Sequence, residues 1–321
     1  MDTATRVAAK PVGFLEKVRV FLAALVAIVL VSYVGWMVAR PIDPEMAVTF
    51  TAGSRSLLAI WPALLVLTVV AAAVGSAVAG PRLPEAGMFA AAVGLAGLAL
   101  HGGSMETLLA YVGGADPSGR RSLMFSMAVD TVLCASLLAV SWLVVLMVSR
   151  WLWDAPAPRP GPRPAAKNAP DKAGSLADML GGGSLALAVT SIVALFFIWT
   201  TIARTPVAVI ARGQVIASVF FGLYLGAMAA RYFTGVDHAR YYMAAPLVVA
   251  VVGFLLGYLQ ANMGWAHGVL AAYAQLATTP PHALARPLPI EYIAVGLAGA
   301  IAGFWSGEKI EHVAVRELEL S

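Results

Sequence analysis

An all-α polytopic membrane protein is the fold this sequence predicts, with about eight spans arranged as two parallel four-helix repeats. Three observations predict it. Of the 321 residues, 60% are hydrophobic and only 12% charged, where soluble domains carry about 25% charged residues. Eight apolar stretches come close to or reach the roughly 20 residues a helix needs to cross a bilayer. These stretches fall as four plus four about a proline-rich break, with matching residues at corresponding places. Helices are expected because a bilayer offers bare backbone groups no partner, and a barrel would show short alternating strands instead.

The first span is predicted over 20–39. Arg6, Lys10, Lys17 and Arg19 precede it as in a signal peptide, but the run outlasts a 7–15-residue signal core and is expected to stay as a span. Spans two to four follow at 57–79, 86–101 and 123–148, the third being short and opened by Pro84. The second group lies at 184–203, 214–233, 243–262 and 289–306. Pro62 and Pro246 are expected to interrupt spans two and seven.

Between the groups, 154–183 contains Pro156, Pro158, Pro160, Pro162, Pro164 and Pro170, then Gly181, Gly182 and Gly183. A stretch so poor in apolar side chains cannot bury enough surface to fold and reads as a semi-extended tether. It separates a first repeat, 1–153, from a second, 184–321, which ends in a short tail.

The two groups match in detail. Trp36, Arg40 and Pro41 close span one, and Trp199, Arg204 and Pro206 close span five in the same order. Gly102, Leu108, Ala110 and Tyr111 follow span three; Gly264, Leu270, Ala272 and Tyr273 follow span seven at a constant offset. Arg121 and Arg286 precede the last span of each group. An even number of spans per copy makes the repeat parallel, with a pseudo-two-fold along the membrane normal. Short segments at 103–113 and 265–277 are expected to lie as amphipathic helices at the interface.

Charge sets the expected orientation. With a cytoplasmic N-terminus, fourteen Lys and Arg residues fall on that side and seven on the other, and all five lysines are among the fourteen. The positive-inside rule then puts both termini and the linker in the cytoplasm, in a bacterial inner membrane. The basic balance, pI about 9.3, suits anionic lipid, and no aromatic-interleaved basic stretch points to nucleic acid. Cys134 stands alone, which excludes an internal disulfide or a cysteine metal cage and suits a buried inert thiol.

Ionisable groups inside a membrane are expensive and mark function by default. Asp130, a third of the way into span four, is therefore a candidate proton- or cation-binding group, or else a carboxylate bonded to a neighbouring helix. On the extracytoplasmic side, His101, Glu106 and Arg121 of the first repeat and His267, Arg286 and Glu291 of the second are candidates for a solute pathway. The alternative for these six is that they belong to an aromatic and basic belt at the lipid boundary. Gly299, Gly303 and Gly307 in span eight, and Gly222 and Gly226 in span six, recur every four residues. Such stripes let helix backbones approach closely, within the bundle by preference, or else toward a second copy or a membrane partner subunit.

No HExxH, Walker A or EF-hand pattern occurs, and Ser306 does not sit in a nucleophile elbow. Paired membrane histidines for haem and an arginine ladder for voltage sensing are also missing. No enzyme, metal or cofactor is expected. Two classes of function remain: a permease-like protein moving a small solute or ion at the repeat interface, and a non-catalytic subunit or scaffold of a larger membrane complex.

Overall fold

The computed structural model describes residues 13–43, 45–52, 56–80, 83–112, 114, 116–153, 181–202, 210–272 and 276–320. Among these the regular structure is helical, with no strands. Most of the expected linker, together with Arg204, Pro206 and Tyr273 of the repeat comparison, lies outside the described residues.

In chain order the helices are α1 (Phe14–Ala39), α2 (Leu57–Ala79), α3 (Ala86–Ala99), α4 (Met105–Val112) and α5 (Pro117–Trp153). Then come α6 (Gly182–Thr201), α7 (Arg212–Thr234), α8 (Ala239–Leu259), α9 (His267–Ala272) and α10 (Gly296–Leu320). Six of them, α1, α2, α5, α6, α7 and α8, are long and apolar enough to cross a membrane. The third and eighth expected spans fall short of that standard. At 14 residues α3 is about 21 Å long, less than the roughly 30 Å hydrocarbon core. In α10, Glu308, Lys309 and Glu311 interrupt the apolar run midway.

Several boundaries differ from expectation, and capping explains two of them. Helix α1 starts at Phe14 because the Glu16 carboxylate accepts the Gly13 N–H at 2.9 Å, which satisfies a donor at the helix start. Helix α5 starts at Pro117, six residues early. Asp116 accepts from the Ser118 hydroxyl and from the Gly119 N–H at 3.1 Å, and Pro117 supplies a preset first-turn φ. The same contacts hold the Asp116 carboxyl below its usual pKa. At 37 residues α5 is about 55 Å long, so its ends project well past any bilayer core. Helix α6 begins at Gly182, inside the stretch expected to be linker. Pro62 does not break α2, whereas Pro246 does follow an interruption of α8 at Ala244.

Packing divides the helices into two groups. Helix α2 lies against α1, α3 and α5, while α7 lies between α6 and α10. Between the groups α5 meets α8, and α3 meets α10 together with the π-helical turn Glu291–Val295 that leads into it. The outer faces are apolar: Leu58 is 87% exposed, Phe233 76% and Met147 69%. Such a surface is a liability in water and suits hydrocarbon. By contrast, most of α3 is buried, so the short helix is enclosed by longer ones.

Close approaches of backbone explain the small residues. A methyl on Gly94 would lie 2.6 Å from the Ala27 carbonyl oxygen in α1. Gly299 and Gly303 face the Phe220 and Tyr224 carbonyls of α7, and Gly307 faces the Arg231 stem. Gly222 meets Ile198 and Gly226 meets the Thr190 carbonyl, both in α6. All five glycines of the predicted stripes therefore face helices of their own chain.

Gly303→Leu should remove most of the folded protein recovered in detergent, since an added side chain must displace α7. Gly213→Leu, where an added Cβ meets nothing within 4 Å, should leave the yield near wild type. Size-exclusion chromatography of a fluorescent fusion checks both; a folded Gly303→Leu monomer at wild-type yield would contradict the packing.

Candidate functional site

At one end of the bundle, the segments that follow α1, α3 and α8 meet the start of α7, and most of the buried charge among the described residues lies there. Arg212, the first residue of α7, donates from Nε to Glu291 Oε1 at 3.0 Å. Its other nitrogens reach the Ala99 and Gly102 carbonyls and, at 3.4 Å, the Leu100 carbonyl. These oxygens end α3, where carbonyls lack helical donors and the dipole is negative. Glu291 is buried, and its Oε2 accepts the Leu288 N–H at 2.8 Å. Both of its oxygens are thus engaged.

Two more arginines join the groups at this end. Buried Arg120, in the first turn of α5, donates from Nε to the Ala261 carbonyl at 2.6 Å and from a terminal nitrogen to Gly114. Ala261 follows the end of α8. Each group therefore sends an arginine to the carbonyl end of a helix in the other. Arg286, also buried, pairs with Glu106 of α4 across 3.5 Å. Burial holds the Arg286 pKa below its usual value, with Glu106 opposing the shift.

Beside Arg286 lies a cavity of about 220 Å³ whose walls include Trp199, Gln260, Trp265, Thr279 and His282. His282 Nδ1 accepts the Leu284 N–H at 3.1 Å, so the neutral ring carries its proton on Nε2. Burial lowers the His282 pKa and favours that neutral form. The cavity thus combines a guanidinium, neutral hydrogen-bonding groups and two indole rings.

Of the residues singled out in the sequence, the structure gathers Glu106, Arg286 and Glu291. It does not bring Asp130 to them. Asp130 is buried in α5, where Oδ2 accepts the Phe50 N–H at 2.9 Å. Phe50 ends a buried non-helical run, Met46, Ala47, Val48, Thr49 and Phe50. Such backbone is tolerated in a membrane bundle only when protein supplies its partners. The His101 ring meets Ser32 Oγ at 2.9 Å and packs 5.5 Å from Tyr33 and 5.4 Å from Trp36. Arg121 and His267 are exposed and join neither the network nor the cavity.

Arg120 belongs to the same polar cluster expected on the extracytoplasmic side, whereas sequence reasoning passed over Arg212, Gln260 and the two tryptophans as site residues. An arginine placed at the very start of an apolar helix, as Arg212 is, was the available signal. Among the described residues, no three His, Cys, Asp or Glu side chains cluster as metal ligands. No protein-family model, curated protein or solved structure matches this chain.

Glu291→Leu should destabilise the protein by roughly 3 kcal/mol, because it strands the Arg212 charge. Arg212→Met combined with Glu291→Leu should recover part of that loss, and thermal melts of the four forms in one detergent give the coupling. At Asp130, Asn keeps an acceptor for the Phe50 N–H and Leu does not. Asp130→Asn should therefore melt close to wild type and Asp130→Leu well below it, by the roughly 1–3 kcal/mol of an unmet buried donor.

Proposed function

We propose that this protein is a permease-like membrane protein of eight spans, built from two parallel four-helix repeats, which moves a small solute between them. The observation that carries the reading is the cavity at Arg286, whose guanidinium also bridges the two groups of helices through Glu106. A binding cavity beside a repeat interface, with polar groups that can exchange partners, is the arrangement alternating access uses.

Helix packing supports the repeat. Exchanging α1, α2, α3 and α5 for α6, α7, α8 and α10 turns the α1–α2 and α2–α5 contacts into α6–α7 and α7–α10. The same exchange turns α5–α8 into α10–α3, and both are present. One departure is that α2 packs on α3 while α7 and α8 scarcely touch. Counting α3 and α10 as spans is consistent with their burial, since helices inside a bundle need not match the lipid thickness. In this reading both termini are cytoplasmic, in a bacterial inner membrane, and the cavity opens toward the opposite side.

A different observation favours a non-catalytic subunit or scaffold. The seam between the groups is tight, with Gly257 of α8 against Met124 of α5, and Asp130 is engaged in holding a loop rather than lining a path.

Proteoliposome flux separates the two readings. Stopped-flow light scattering with a panel of small organic solutes should show protein-dependent permeation of at least one. Arg286→Gln and Trp265→Ala should each reduce that rate tenfold or more. Impermeability to every solute, together with a stoichiometric companion in mild-detergent purification, would replace the permease with the subunit.

A further inference from the structure

The chemistry of the cavity is one-sided. Among the described residues that line it, Arg286 is the charged one, and it is 5% exposed. The two carboxylates of the neighbouring network are held very differently. Glu291 is gripped by Arg212 at 3.0 Å and by the Leu288 N–H at 2.8 Å, out of reach of solvent. Glu106 stands 3.5 Å from Arg286 with a third of its side chain exposed. That distance exceeds the roughly 2.7–2.9 Å of a charge-assisted hydrogen bond. Glu106 is thus the replaceable member of the network, and water is close enough to receive it.

We infer that the cavity binds a small monocarboxylate with a flat apolar body, whose carboxylate takes the place of Glu106 on Arg286. This deepens the permease reading and rests on it for its biological sense. Guanidinium and carboxylate pair in a planar, two-bond geometry, which the present Glu106 contact does not reach. The neutral His282 ring, the Gln260 amide and the Thr279 hydroxyl line the same cavity as Arg286 and add hydrogen-bonding groups to its walls. Trp199 and Trp265 offer the apolar body its surface. A cation would face the Arg286 charge in a poorly screened space. A neutral ligand would leave Arg286 with Glu106 and gain less. Among the described residues of the walls, a second negative charge would find no further cation. The volume, about 220 Å³, is below the roughly 300–1,000 Å³ of sites for drug-sized ligands, so the ligand is of metabolite size.

The exchange also links occupancy to the interface. Arg286 belongs to the second group of helices and Glu106 to the first, so a carboxylate that captures Arg286 withdraws a bridge between them. Ligand binding then favours any state in which the groups have separated at this end.

The full-length protein in nanodiscs can be titrated calorimetrically with benzoate, benzamide and benzylamine, against empty nanodiscs as blank. Benzoate should bind saturably at one site per chain, with benzamide and benzylamine at least tenfold weaker. Arg286→Gln should weaken benzoate tenfold or more. Glu106→Gln should tighten it about threefold or more, because a competitor for Arg286 is gone, and a merely structural ion pair would give no such gain. Absent benzoate saturation, equal or tighter binding of either other probe, or unchanged or weaker binding in Glu106→Gln overturns the inference. Should Arg286→Gln fail to fold, the probe comparison and Glu106→Gln still decide. Benzoate binding without flux of any solute would keep the site and remove the permease; flux of neutral solutes without benzoate binding would do the reverse.

Discussion

The structure depends on the contact of Arg212 with the carbonyl end of α3. The last carbonyls of α3 have no donors within their own helix and take partners from elsewhere. Arg212 supplies donors from the other group of helices, and its half-buried guanidinium supplies the counter-charge that makes the buried Glu291 carboxylate tolerable. Leu288 in turn satisfies the second oxygen of Glu291. Removing any one member strands another. The two groups are therefore joined by polar chemistry at this end and by apolar packing along their length.

That contact also fixes what surrounds it. With the end of α3 anchored, His101 is held against the last turns of α1, and the Met46 carbonyl accepts the Gly103 N–H at 3.0 Å. The Arg286 loop lies between the end of α8 and the start of α10, where Tyr292 donates to the Leu284 carbonyl at 2.8 Å. The cavity forms where this well-bonded loop meets the indole rings of Trp199, near the end of α6, and Trp265, in the turn before α9.

The opposite end is organised on a simpler plan. Arg231, near the end of α7, is buried. It pairs with Asp237 at 2.8 Å and lies 4.5 Å over the Phe304 ring of α10. Gly307 leaves room for its stem. A single charge in this way locks α7 to α10 where their glycine-lined contact ends.

The sequence by itself determined the solvent and the helices. Apolar runs of this length admit few alternatives in a bilayer, so all eight expected segments are helical, and a short helix lies within each of the segments 103–113 and 265–277. Their ends were less legible, because hydropathy stops at the first charge while capping at Gly13 and Asp116 extends the helix beyond it. Glu106, Arg286 and Glu291 stood out as polar groups at the edges of apolar runs, and the tertiary structure decided that they belong together. It also decided that Asp130 serves the Phe50 backbone, 80 residues away in sequence. The physical reason is the same in each case: burial makes a polar group need a partner, and the chain names the group while only the packing of distant helices supplies the partner.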